Sequence, residues 1–312
     1  MRSEVYASKI DQTAMRLLLL GMTGQVGWEL QRSLAPLGEL VPLDLHSDER
    51  LCCDFTRPEE LAQTVRWVAP DVIVNAAAYT AVDRAESEPG LAHAINAEAP
   101  AVLAREAARL GAWLVHYSTD YVFNGSGSTP WSEESPTGPL NVYGESKAQG
   151  DLAIRSSGCL HLILRTSWVY SARGGNFARS MLQLAGERDK LTIVSDQIGA
   201  PTGAELLADS TAHAVRRAAT QPHVCGTYHV AAAGETSWHG YASFVIEQAR
   251  RAGKRLRVQS RDIAPIASDS YPTPARRPLN SRLDTRKFRS QFDLTMPAWQ
   301  VGVQRMLEEI LG

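Results

Sequence analysis

The stretch Arg16-Leu17-Leu18-Leu19-Leu20-Gly21-Met22-Thr23-Gly24-Gln25-Val26-Gly27 decides the fold. The unbroken leucine run at 17–20 reads as a strand covered on both faces. A glycine-punctuated turn follows, and a helical pattern over 26–34 opens inside it. Strand, glycine turn and helix in that order are the context a dinucleotide-binding turn requires. The glycines allow a tight turn, approach of the backbone to a pyrophosphate and close packing of helix on strand. The helix start offers unpaired N–H groups and a positive dipole end to an anion. Gly21, Gly24, Gln25, Val26 and Gly27 are therefore candidate cofactor contacts, against the simpler alternative of a turn used only for packing.

Working outward, apolar runs of strand length recur at 40–43, 72–75, 113–117 and 161–165. Helical stretches at 58–68, 94–110 and 143–156 separate them. The runs are continuously apolar rather than alternating, which predicts an α/β fold: a Rossmann-like, doubly wound parallel sheet with right-handed crossovers. Beyond about residue 168 the regularity fades. Segments 171–176, 195–203 and 266–278 are rich in Gly, Pro, Ser and Thr, whereas 204–220, 236–252 and 296–311 read as helices. The expected organisation is a dinucleotide-binding domain over 15–168, with 204–231 returning to it. A smaller, discontinuous C-terminal substrate lobe takes 169–203 and 232–312. Residues 1–14 are polar, lack an apolar signal core and read as an extension outside the fold.

Bulk properties exclude several classes. The chain has 312 residues, 44% hydrophobic and 21% charged, with formal net charge -2. That charge makes no electrostatic case for nucleic acid or an anionic membrane. No apolar run approaches the ~20 residues of a membrane span. Cys52, Cys53, Cys159 and Cys225 show no metal-type spacing, and an adjacent pair is a poor disulfide framework, so reduced thiols in the cytoplasm are expected.

The chemistry points to Tyr143 and Lys147, which at i and i+4 share one helix face. An ammonium beside a phenol favours the phenolate, so the pair predicts a tyrosine able to exchange a proton near neutral pH. Thr119 follows the fourth strand, where ligands of open α/β sheets bind, and is placed to hydrogen-bond a substrate oxygen. Asp44 ends the second strand at about the distance, ~20 residues on, at which a carboxylate meets ribose hydroxyls and repels a 2′-phosphate. That favours NADH, although a cation such as His46 or Arg50 would let NADPH in. Asp54 and Phe55 could flank an adenine, and the small residues after Asn75 leave room for a cofactor.

These residues together resemble the extended short-chain dehydrogenase/reductases, whose glycine spacing is the G-x-x-G-x-x-G seen here. The wording is most similar to the dTDP-4-dehydrorhamnose reductase family. It matches in 21–30, 75–83, 118–123, 141–147, 164–170, 196–202 and 274–278, and the last three stretches are the most specific. The resemblance implies reduction of the C4 keto group of dTDP-4-dehydro-β-L-rhamnose by NADPH or NADH, the last step toward dTDP-L-rhamnose for cell-surface polysaccharide such as the O antigen of lipopolysaccharide. It implies cofactor contacts at Gly24, Gln25, Val26, Asp44, Asp54, Phe55, Ala78, Tyr79, Thr80 and Tyr117. Lys147 would also hold the nicotinamide ribose. A dTDP-sugar would meet Thr119, Asp120, Trp168, Arg276 and Arg277. A homodimer is implied, and members can carry Mg²⁺ on glutamates, for which Glu29, Glu205 and Glu308 or Glu309 are candidate positions.

Three other readings compete. A nucleotide-sugar 4,6-dehydratase needs an acid and a base after the Thr, typically Asp then Glu, but here Asp120 is followed by Tyr121. Another reductase or a 4-epimerase of the same superfamily would share most of the motifs. A non-catalytic regulatory subunit would be expected to have lost the Tyr–Lys pair or the glycine turn, and both are intact.

Overall fold

In the computed structural model, which describes residues 14–45 and 51–312, the leucine run forms the middle of a parallel sheet. The expectations for the leader and for His46 and Arg50 lie outside the described residues. In chain order the main elements are β1 (Met15–Leu20), α1 (Gln25–Leu34), β2 (Gly38–Leu43), α2 (Pro58–Val68), β3 (Val72–Asn75), α3 (Ala99–Leu110), β4 (Trp113–Thr119), α4 (Val142–Ser156), β5 (Leu160–Thr166), α5 (Phe177–Glu187), α6 (Ala204–Ala218), β6 (Gly226–His229), α7 (Trp238–Arg251), α8 (Arg286–Phe292) and α9 (Trp299–Leu311). The sheet order is β6-β5-β4-β3-β1-β2, all parallel. The chain winds from β1 to β2, then crosses back to β3 on the other side of β1. A crevice therefore opens beyond the carboxyl ends of β1 and β3, where such sheets bind ligands.

The four leucines explain the two-sided burial. Successive strand residues point to opposite faces. Leu17 and Leu19 join a core that takes in Leu30 and Leu34 of α1 and Leu207 of α6. Leu18 and Leu20 join one with Leu61 and Val65 of α2 and Leu103 of α3. All four are fully buried. A polar residue at any of them would be left without water on either face.

Three elements differ from the sequence reading. The helix expected over 94–110 is divided: Pro89–His93 is helical, Ala94–Glu98 forms a π-helical turn, and α3 starts at Ala99. Pro100 lies in the first turn of α3, where it lacks the N–H that a continuous α-ladder would use. Helix α5 was not anticipated; Asn176 caps it by accepting from the Arg179 N–H at 3.1 Å, and it buries Ala178, Met181, Leu182 and Ala185 on one face. The short β6 extends the sheet beyond β5.

The C-terminal lobe has its own core, in which α5, α7 and α9 bring together Met181, Tyr241, Val245 and Val303. Short two-stranded pairings stitch its loops: Leu191–Val194 with Ile263–Ile266, Ile198–Gly199 with Thr236–Ser237, and Val169–Tyr170 with Thr202–Gly203. Late in the chain α8 returns to the sheet and packs Phe288 and Phe292 against Tyr228 of β6.

Candidate active site

The glycine turn closes on the end of β3. Gly21 adopts φ +86°, and a Cβ there would stand 2.7 Å from the Ala77 nitrogen, so both conformation and space demand glycine. Gly24 caps α1 with no side-chain hydrogen bond, which leaves the first N–H groups of that helix facing the crevice for an anion. Val26 packs against the sheet core. Gln25 reaches across to the lobe and accepts from the Ser171 hydroxyl at 3.1 Å. Asp44, at the end of β2, accepts from the backbone N–H of Thr23 at 3.2 Å and from its hydroxyl, tying the turn to the strand. This donor-rich turn beside a carboxylate suits a dinucleotide.

Other expected cofactor residues play more structural parts. Asp54 accepts from the Thr56 N–H and hydroxyl at 2.9 and 2.7 Å, a local turn that holds its carboxyl below the usual range. Phe55 turns its ring into the α2–α3 core, which leaves its backbone to flank an adenine. Ala78 is half-buried and Thr80 exposed. Tyr79 is buried; Asn96 clamps its backbone at both N–H and C=O, and its hydroxyl donates to Glu88 at 2.5 Å. The Tyr117 hydroxyl lies 2.6 Å from that of Thr211.

Thr119, Asp120, Tyr143 and Lys147 come together beyond β4. Asn141 caps α4 by accepting from the Gly144 N–H at 2.8 Å. A Cβ on Gly144 would lie 2.3 Å from the Tyr121 carbonyl oxygen, so glycine lets the first turn of α4 sit directly on the 120–122 turn. The Thr119 hydroxyl donates to Asp120 at 3.0 Å and accepts from the Tyr121 N–H at 3.1 Å. Tyr121 meets Tyr143 edge to face at 5.7 Å. Burial pushes the Asp120 carboxyl up to about 7, with the Ser281 and Thr119 hydroxyls opposing.

One expectation is corrected here. Lys147 was expected to lower the pKa of Tyr143, but its ammonium group bonds the Tyr117 carbonyl at 2.6 Å and His116 Nε2 at 3.1 Å. Burial dominates both groups. It pushes the phenol up to about 12, with Thr119 opposing, and brings the ammonium down to about 8, with Asp151 opposing. Tyr143 therefore holds its proton firmly at neutral pH.

The lobe contributes Phe177, Gln197 and Trp238 to a cleft of ≈ 1000 Å³ that is also lined by Asp83, Asn124, Leu140 and Arg276 and whose lining does not include Thr119, Tyr143 or Lys147. Trp168 takes the left-handed φ of +49° and stacks on Trp238 at 3.7 Å; Phe177 leans on Trp238 at 4.6 Å. Trp238 donates to Gln197 at 3.1 Å, and Gln197 to Ser268 at 2.9 Å. The arginine pair divides. Arg277 makes a bidentate pair with Asp83, both contacts 2.7 Å, which pins the 274–278 loop to the sheet side. Arg276 lines the cleft with its guanidinium exposed. Trp238, Phe177, Asp83 and His116 were not singled out from the sequence. Trp238 sat inside a helical pattern that read as packing, Phe177 opens the unanticipated α5, and nothing local marks Asp83 or His116 as partners of residues 194 and 31 positions away.

The glutamates named for Mg²⁺ lie near one another, since burial first and then Glu205 and Glu309 raise the Glu29 carboxyl, but each is engaged elsewhere. Glu29 lies 3.7 Å from Arg32, Glu205 lies 3.3 Å from Arg305, and Glu308 accepts from Gln304 at 3.0 Å. Among the described residues no group of three or more His, Cys, Asp or Glu side chains could hold a metal ion.

A dinucleotide turn at the switch point of a parallel sheet, with Thr, Tyr and Lys beyond β4 and a lobe across the cleft, defines a nucleotide-cofactor oxidoreductase of the extended short-chain dehydrogenase/reductase class. Comparison with known proteins narrows this. The family model "RmlD substrate binding domain" matches residues 15–311. The dTDP-4-dehydrorhamnose reductase of Shigella flexneri is 58% identical over 296 residues, 95% of this chain and 98% of that protein. That of Escherichia coli K12 is 56% identical over the same length and coverage. The crystal structure of the Bacillus anthracis dTDP-4-dehydrorhamnose reductase in complex with NADP superposes with a TM-score of 0.83 at 32% identity, covering 95% of this chain and all of that one. The chain belongs to the dTDP-4-dehydrorhamnose reductase family.

Proposed function

We propose that this protein reduces the C4 keto group of dTDP-4-dehydro-β-L-rhamnose to give dTDP-L-rhamnose. The observation that carries this reading is the pairing of buried Thr119 with half-buried Tyr143, with Tyr121 and not a second carboxylate after Asp120. The cofactor, NADPH or NADH, supplies the hydride when bound. Gly21 to Gly27 and the open start of α1 would hold its pyrophosphate, Asp44 the adenosine ribose, and Tyr117, Ala78, Tyr79 and Thr80 its further length. Lys147 would meet the nicotinamide ribose.

Thr119 orients the carbonyl oxygen of the sugar. Tyr143 gives its proton to the oxygen as charge develops there. A phenol near 12 is suited to that direction: it stays protonated at neutral pH, yet is far more acidic than the sugar alcohol it makes. Arg276 takes the diphosphate by charge-assisted hydrogen bonds, and the Trp168–Trp238 stack covers an apolar face of base or sugar. Arg277 shapes the loop through Asp83 instead of binding substrate directly. We assign the enzyme to the cytoplasm as a homodimer. Four free cysteines fit a reducing compartment, and no described helix is long and apolar enough to cross a membrane.

The test offers the two candidate substrates separately. With dTDP-4-dehydrorhamnose, reduced nicotinamide should disappear in step with a product two mass units heavier. With dTDP-glucose nothing should change. Conversion of dTDP-glucose to a 4-keto-6-deoxy sugar without net change in nicotinamide absorbance would establish the dehydratase reading instead.

A further inference from the structure

Asn141 stands between α4 and the 274–278 loop, and its side chain is bonded at both ends. Its Oδ1 accepts from the Gly144 N–H at 2.8 Å, the cap of α4. Its Nδ2 donates to the Arg276 carbonyl at 2.7 Å, 135 residues away in sequence. The two partners fix the orientation of the amide. A backbone N–H only donates and a backbone carbonyl only accepts, so the oxygen must face Gly144 and the nitrogen must face Arg276. Serine or aspartate would cap a helix as well, but neither has an N–H left over for a second partner. Asn141 is buried, at 7% exposure, so both contacts are made away from water.

The loop is held at three successive residues. Ala275 is fully buried, and its N–H donates to Asp83 Oδ1 at 3.1 Å. Arg277 grips the same carboxylate and also donates to the Ala275 carbonyl at 2.7 Å. Between them, the Arg276 carbonyl receives Asn141. The Arg276 guanidinium makes no hydrogen bond or ion pair among the described residues and lines the cleft. The backbone of residue 276 is therefore fixed while its side chain stays open to a ligand. The start of α4 has a second support nearby: Glu86 accepts from the Val142 N–H at 2.9 Å, three residues after Asp83.

We infer that Asn141 is a positioning residue for substrate binding: its oxygen caps the helix that carries Tyr143, its nitrogen holds the backbone of Arg276, and the one side chain thereby fixes the anion-binding arginine relative to the proton donor. The two groups address different ends of an extended ligand, the diphosphate and the C4 oxygen of the sugar. Arg276 lines the cleft and Tyr143 does not, so their separation is a matter of how the loop is seated on α4. Removing the nitrogen leaves Asp83 holding residues 275 and 277, so the loop should loosen at Arg276 without detaching. The effect on turnover rests on the reductase reading; the tie between helix and loop does not.

Asn141→Ser and Asn141→Asp separate the two roles, since both keep a capping oxygen and neither keeps the amide N–H. In the full chain without ligands, hydrogen exchange should speed up in segment 271–279 of both variants while α4 keeps its native protection. With dTDP-4-dehydrorhamnose, the KM for the sugar nucleotide should rise by roughly 3–10-fold, as for the loss of one hydrogen bond, with kcat near native. In an Arg276→Ala background the same Asn141→Ser change should add less than about twofold, because the arginine through which it acts is gone. Native exchange in 271–279, or a native KM in both active variants, would show that Asn141 is a helix cap and nothing more. Exchange rising equally in α4, or a KM effect undiminished in the Arg276→Ala background, would also overturn the inference. The exchange measurement uses no substrate. If the native chain failed to reduce the keto-sugar, the reductase reading would fall, and exchange alone would decide the tie.

Discussion

The two walls of the cleft are built by different means. On the sheet side, Thr119 and Asp120 sit at the end of β4 and Tyr143 and Lys147 in the first turns of α4 packed on it, the strand register being set by backbone pairing and by aliphatic side chains buried on both faces. On the lobe side they sit on loops held by side chains: Asp196 accepts from Ser268, Gln197 links Ser268 to Trp238, and Arg277 grips Asp83. The first construction is rigid because moving one strand breaks a whole ladder. The second depends on a handful of polar contacts, each worth about 0.5–3 kcal/mol, and suits a wall that must admit and release a large substrate. On the proposed function, the comparison puts proton transfer on the rigid wall and substrate selection on the adjustable one.

That contrast makes perturbations of the sheet wall the most damaging to stability. Arg165 and Asp151 pair at 3.0 Å with both side chains fully buried, and the guanidinium also lies over the Phe123 ring at 5.3 Å. Asp151→Ala would strand a buried cation and should cost about 3–5 kcal/mol, read from the urea midpoint at constant m-value. Arg277→Ala, which breaks an ion pair with one half-exposed partner, should cost far less. Comparable losses at the two sites would break the comparison.

Gly21→Ala comes next. The positive φ and the 2.7 Å approach to Ala77 together should cost about 2–3 kcal/mol and weaken cofactor binding measured by fluorescence titration. Unchanged affinity would show that the turn serves packing alone.

Asp120 gives the smaller, pH-dependent effect. Its folded pKa of about 7 lies above the unfolded carboxylate value, so its contribution is complete below about pH 4 and is lost as pH rises through 7. Native stability should therefore fall relative to Asp120→Asn between pH 4 and 7, by on the order of 2–4 kcal/mol in total. Parallel stability curves for the two proteins would show that Asp120 ionises normally in the folded state.

The same division explains what could be read from the chain. Four leucines and a glycine turn made the sheet, its two-sided burial and the site of the turn legible, since local periodicity and the global fold agree there. The i, i+4 spacing correctly put Tyr143 and Lys147 on one helix. It did not reveal their electrostatics, because burial and the His116 contact come from β4, which is distant in sequence. In the lobe, Trp168 was visible through its motif, but its stacking partner Trp238 lies 70 residues later and carried no signal. The direction of the Phe55 ring was not legible either, because an aromatic after an aspartate does not disclose which way its ring turns; the apolar space between α2 and α3 decided it.

Steady-state kinetics of Tyr143→Phe beside Arg276→Ala tests the division of labour most directly. The account predicts that Tyr143→Phe lowers kcat by roughly 10²–10⁴-fold with little change in the KM for the sugar nucleotide. Arg276→Ala should raise that KM by roughly 10–100-fold while kcat stays near native. Near-native kcat in Tyr143→Phe, or a loss at Arg276 falling on kcat and not on KM, would contradict it.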